Sequence, residues 1–216
     1  MKKIIMFLMA LILMAPVMNA QNKLLEKAQK KEYKEKIKEF KKEGWKLYGS
    51  SRSIEVALLT HYDKLAKLGD NGYEVMGEAS RFKSKNVGKM MAVNNACNLY
   101  ARNAGSHIKG RVLSDLSGDA DKPDAEFEHF YAAYESLVEK EIKGEMQESF
   151  SVIKDNKDGT YSMQTFFIIN EDAAVKARIR AMENAMKESE AAQKYAQKVS
   201  DFVKEGFQNE NTDAKD

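Results

Sequence analysis

Residues 148–169 read ESFSVIKDNKDGTYSMQTFFII. Two apolar-alternating runs, 145–154 and 160–169, flank Asp155-Asn156-Lys157-Asp158-Gly159. Alternation at period two predicts strands, and the Asp-Gly pair predicts a hairpin turn with positive-φ positions. Met146, Phe150 and Val152 are expected on one face, met across the hairpin by Phe167 and Ile169. This hairpin sets an antiparallel sheet at the centre of the fold.

Outward from the hairpin the pattern turns helical. Upstream, Asp124 caps a predicted helix over 125–143 with Phe127, Phe130, Tyr131, Tyr134, Leu137, Val138 and Ile142, and Gly144 stops it. Downstream, Asn170 is a cap, with Glu171 and Asp172 in the first turn of a helix expected from about 173 to 205. Its first half (Val175, Ile179, Met182, Met186) can cover the sheet, and its second half (Tyr195, Val199, Phe202, Val203) is a narrower stripe. Residues 86–114 predict another helix, with Met90, Val93, Cys97, Ala101, Ala104 and Ile108 facing inward. Those small residues suit close approach to a sheet, and Gly105 and Gly110 are points where the helix could thin or end. Before it, Gly69-Asp70-Asn71-Gly72 is a turn. A strand over 73–82 then places Tyr73, Val75 and Ala79 on one face, with Gly77 a bulge or close-approach point. Ser50 to Ser53 offer caps for a short helix carrying Ile54, Leu58, His61 or Tyr62, and Leu65.

The two ends differ in character. Lys2 and Lys3, an apolar run from Ile4 to Ala15, and Pro16 to Ala20 have the order of a secretory signal, with cleavage expected after Ala20. The run is about a dozen residues, whereas a bilayer span needs roughly 20. Removing this segment takes two lysines from 35 basic residues and no acid, leaving 33 against 33. Neutrality removes the electrostatic case for nucleic acid. Residues 21–43 predict a charged helical lead-in whose interleaved glutamates supply opposite-charge pairs and argue against a membrane-surface helix. The α+β domain is expected over 44–190, a C-terminal helix extension over 191–208, and a disordered tail over 209–216. Cys97, alone in the chain, makes no internal disulfide and reads as a small buried hydrophobe.

No catalytic or cofactor motif is present: no G-x-S-x-G, no P-loop, no G-x-G-x-x-G, and no metal-spaced pair among His61, His107 and His129. The best metal candidate is a calcium-type loop with Asp115, Ser117, Asp119, Asp121 and Glu126 as oxygen donors. Its sixth position is Ala120 where the turn asks for glycine, so a solvated acidic turn is the default. Trp45, Tyr48 and Tyr73 are candidate ligand or partner contacts.

The order strand, Ala-rich helix (MMAVNNACNLYARNAGSHIKGRV), intervening helix, hairpin and closing helix resembles the twenty-kilodalton secretory lipoprotein family of Gram-negative bacteria. Domains of that family also occur in flagellar-basal-body accessory proteins. Gly44-Trp45 and the Gly77-Glu78-Ala79 segment also look like a group of exported proteins from Bacteroidota-type bacteria. The resemblance covers roughly residues 44–185. It implies an envelope-associated structural or assembly role and carries no catalytic residue across. The chain lacks the family's lipidated cysteine, so direct anchoring is not implied.

The expected fold is α+β: a small, mainly antiparallel sheet of three or four strands, covered by long helices, with helical extensions at both ends. The expected function is that of an exported, non-enzymatic, envelope-associated structural or interaction protein with an envelope protein partner, no nucleic acid and no cofactor. A periplasmic small-molecule or cell-wall-fragment binder is the alternative, and a hydrolase without a recognisable signature ranks last.

Overall fold

A computed structural model describes residues 27–116 and 123–205. The chain divides after Trp45 into two units. The first holds helix α1, seen over residues 27–43. Charges pair along it, Lys31 with Glu35 and Lys36 with Glu39. The helix ends where Gly44 takes φ 79° and the Trp45 amide turns back to the Phe40 carbonyl at 2.9 Å.

The second unit runs β1 (Lys46–Tyr48), α2 (Ile54–Leu68), β2 (Gly72–Phe82), α3 (Lys85–Leu116), α4 (Pro123–Ile142), β3 (Met146–Asp155) and β4 (Tyr161–Asn170). It closes with α5 (Glu171–Ala185), α6 (Glu190–Lys194) and α7 (Ala196–Glu205). The four strands form one antiparallel sheet in the order β1-β3-β4-β2. This is the α+β architecture expected from the hairpin and its helical surroundings.

Helices lie on both faces of the sheet. Val75, Gly77, Ala79, Phe167 and Ile169 face α3, behind which α4, α5 and α7 complete the main core. On the other face Phe150 stacks on Phe166 at 4.4 Å, and the ring of His61 from α2 meets both edge-on. Double cover explains why Thr165 to Ile169 is buried without interruption. It also corrects the expected grouping of hairpin residues. Met146 pairs with Ile169 on the α3 face, but the register shifts between Glu148 and Phe150. That bulge inverts the pleat, so Phe150 and Val152 point to the α2 face instead.

Four further expectations change. Met90 is 63% exposed rather than inward, because the helix meets the sheet through Ala92, Ala96 and Tyr100, one step round its axis. Neither Gly105 nor Gly110 ends α3, which continues to Leu116. The helix expected over 173–205 is broken at Met186–Glu188, where Ser189 caps α6 by accepting from the Ala192 amide at 3.2 Å, and again at Tyr195. Those breaks fold α7 back onto α3 and α5, burying Val199, Phe202 and Val203 in the main core. In the hairpin loop the positive φ values fall at Lys157 and Gly159, so Asp158 is not one of them. Asp158 instead accepts from the Thr160 amide at 3.0 Å and hydroxyl at 2.6 Å.

Candidate docking edge and buried polar clusters

β2 is an edge strand: β4 pairs with it from Gly72 to Phe82, and no described strand lies on its other side. Alternation along it is regular, with Val75, Gly77 and Ala79 buried and Glu74, Glu78 and Ser80 exposed. Gly77 sets the depth at which α3 sits. A Cβ there would overlap the Ala92 carbonyl, and one on Gly88 would overlap the Phe82 ring. With the helix this close, its flank overhangs the strand edge. Asn95 Nδ2 donates to the Glu78 backbone carbonyl at 2.6 Å, which marks that carbonyl as pointing away from β4.

Between strand edge and helix flank lies a groove of about 530 Å³, lined by Met76, Glu78, Asn95, Asn98, Leu99 and Arg102. Among the described residues, the Asn98 and Arg102 side chains have no hydrogen-bond or ion-pair partner. Four large apolar side chains on this half of α3 are exposed: Val87, Met90, Met91 and Leu99. An open strand edge beside apolar side chains is the geometry to which an extended backbone can in general add by strand pairing.

Three buried or half-buried polar clusters lie elsewhere. Arg178, 1% exposed, donates from Nη1 to the Tyr100 hydroxyl at 2.6 Å, from Nη2 to Glu171 at 2.5 Å and from Nε to the Val203 carbonyl at 3.1 Å. Burial works against its charge, but the Glu171 and Tyr100 contacts more than offset it and hold its pKa above the ordinary value. Nearby, burial pushes the Tyr73, Tyr100 and Tyr134 hydroxyls upward, and Tyr134 Oη has no hydrogen-bond partner among the described residues. In the second cluster, His61 Nε2 lies 2.5 Å from Glu74 Oε2 while its ring is fully buried. In the third, the Lys89 ammonium reaches Glu148, Ser151 at 2.5 Å and Thr165 at 3.5 Å. A serine beside a lysine can in principle act as nucleophile and base. Here the amine is engaged by a carboxylate and Ser151 is 1% exposed, so the arrangement ties α3 to the bulged strand and offers no open nucleophile.

The sequence candidates are scattered. Trp45 belongs to the first unit, where its Nε1 donates to Glu43 at 3.1 Å. Tyr48 is on β1 and Tyr73 on β2, at opposite edges of the sheet with β3 and β4 between them, so these two build no common aromatic wall. Tyr73 stacks on Tyr100 at 6.1 Å instead. Of the calcium-type loop, Asp115 pairs with Arg111 at 3.0 Å and accepts from Ser114 at 2.8 Å. Ser117, Asp119, Asp121 and the Glu126 side chain lie outside the described residues. Among the described residues no group of three His, Cys, Asp or Glu could hold a metal ion, and no helix is long and apolar enough to cross a membrane.

Sequence reasoning missed the β2 edge because strand order is not written in the chain. It also missed Arg178, although a signal existed: the residue falls on the stripe Ala174, Ala177, Ala181, Met182, Ala185, where a charge must find partners.

The chain matches no protein-family model, and the searches found no similar characterised protein and no similar solved structure.

Proposed function

We propose that this is an exported, non-enzymatic, envelope-associated interaction protein that docks a partner along the open edge of β2. The observation that carries the reading is the groove between that edge and α3, with exposed apolar residues and unpaired Arg102 and Asn98 beside an unpaired strand. Export rests on the signal-like segment Lys2 to Ala20, and the envelope setting on the resemblance to secretory lipoproteins. The non-enzymatic reading rests on the sequence, which carries no recognised catalytic motif, and on the Lys89–Ser151 cluster, whose amine is engaged by Glu148.

The test is a photo-crosslinking amino acid at Leu99 in the full chain, expressed in its own envelope and followed by mass spectrometry. One dominant adduct at Leu99, absent from a control at exposed Lys67 on α2, is the expected result. Equal labelling at the two sites, or none, would sink the docking reading. Fractionation with N-terminal sequencing tests export separately, with Gln21 expected at the new terminus.

A further inference from the structure

We propose that the occupant of the β2 edge is the same edge of a second copy. The two would pair antiparallel about a two-fold axis at Gly77, merging two four-stranded sheets into one. This rests on the docking reading above and names the partner.

The groove lining is self-complementary. Its strand wall is backbone, because Met76 and Glu78 turn their side chains to the α2 face, where Glu78 accepts from Gln164 at 2.7 Å, and its α3 wall carries Leu99, Asn95, Asn98 and Arg102. A two-fold contact presents the same patch from both sides, and an antiparallel edge whose outward residues each carry an N–H and a C=O meets its own copy donor to acceptor.

Charge then excludes one neighbouring register. Centred on Gly77, Met76 lies opposite Glu78 of the partner subunit, and Glu74 opposite Ser80 of the partner subunit. Centred one residue earlier, Glu74 would oppose Glu78 of the partner subunit, and like charges directly across a strand pair repel. Backbone geometry agrees. The Glu78 carbonyl points outward, and antiparallel alternation makes Glu74, Met76 and Glu78 the residues whose N–H and C=O groups face the open side. About Gly77 these residues form the hydrogen-bonded pairs. Asn95 stands in for the missing strand and turns aside when it arrives.

The helices fit as well. α3 straddles β2 and β4, seated over Gly77 on one and reaching Thr165 through Lys89 on the other. Joining two such sheets separates the two α3 axes by two strand spacings, roughly 10 Å. That is about the distance at which helices pack. The flanks brought together carry Val87, Met91, Asn95, Asn98 and Arg102 at helical spacing, which covers side chains otherwise left in water.

Sedimentation equilibrium of the full chain should give twice the protomer mass. Met76→Pro removes an outward N–H and leaves the ladder to β4 intact, so it should return the mass to the protomer value with an unchanged circular dichroism spectrum. Should that variant misfold, Leu99→Glu tests the same contact from the helix side. Met76→Cys with Glu78→Cys should give a disulfide-linked dimer under mild oxidation, and Glu78→Cys alone should not. A protomer mass at every concentration into the millimolar range would overturn the proposal, as would a dimer indifferent to both Met76→Pro and Leu99→Glu. A monomer whose Leu99 crosslinker captures a different envelope protein would refute self-pairing and keep the docking reading. A monomer with no adduct would remove both.

Discussion

Arg178 shows how a single residue ties distant parts of this chain together. Its guanidinium joins Tyr100 of α3, Glu171 at the start of α5 and the Val203 carbonyl of α7. Deleting it leaves a partly buried carboxylate and a buried carbonyl without donors. Arg178→Ala should therefore cost about 3–5 kcal/mol, the range for breaking a buried ion pair from one side, read as a lower urea midpoint. Arg178→Lys should recover only part of this, since an ammonium cannot make the same three-way planar fork. Gly77 is the opposite case, a position where nothing is the requirement. Gly77→Ala would press a methyl into the Ala92 backbone, and α3 must lift to admit it. A loss near or above about 3 kcal/mol, the upper end for overpacked cores, is expected in the same assay.

At the scale of elements, the hairpin and α3 divide the fold between them. The hairpin loop is held by Asp158, whose carboxylate the Thr160 hydroxyl and amide keep below its ordinary pKa. A carboxylate with a depressed folded pKa contributes stability above its unfolded pKa and loses it as pH falls through the folded one. An NMR titration should place the Asp158 midpoint below that of a model aspartate, and Thr160→Ala should move it back upward. The bulge between Glu148 and Phe150 gives the strand its second role. It turns Met146 toward α3 and Phe150 toward α2, so one strand serves two cores. The alternation in the sequence revealed strands at 145–154 and 160–169 but not this phase change, because a one-residue insertion leaves local hydrophobicity intact and only the partner strand registers it.

In the whole molecule the sheet is enclosed by α2 on one face and by α3, with α4, α5 and α7 behind it, on the other. Cys97 sits within that larger core, 2% exposed, with its sulfur 3.7 Å from that of Met146. Burial pushes its thiol above the ordinary cysteine value, although the nearby Lys143 acts the other way. The folded protein should therefore react slowly with a thiol reagent at neutral pH. The rate should rise with urea in step with the loss of ellipticity, as for a probe of global opening. Fast labelling of the native state would place the thiol at an accessible surface.

Spacing and propensity along the chain dictate the elements and much of what each buries. The hairpin turn cluster, the strand over 73–82, the small-residue face of 86–114 and the Asn170 cap are local signals, written in spacing and propensity, and the structure has elements at all of them. Which strand became an edge, where the bulge fell, and that α7 folds back to meet Arg178 were settled by long-range packing. Those outcomes depend on contacts between residues far apart in the chain, and period and composition carry no record of them. The scattered fate of Tyr48 and Tyr73 has the same cause. Their side chains suit a binding wall, but β3 and β4 come between their strands, and that order is settled only when the sheet assembles.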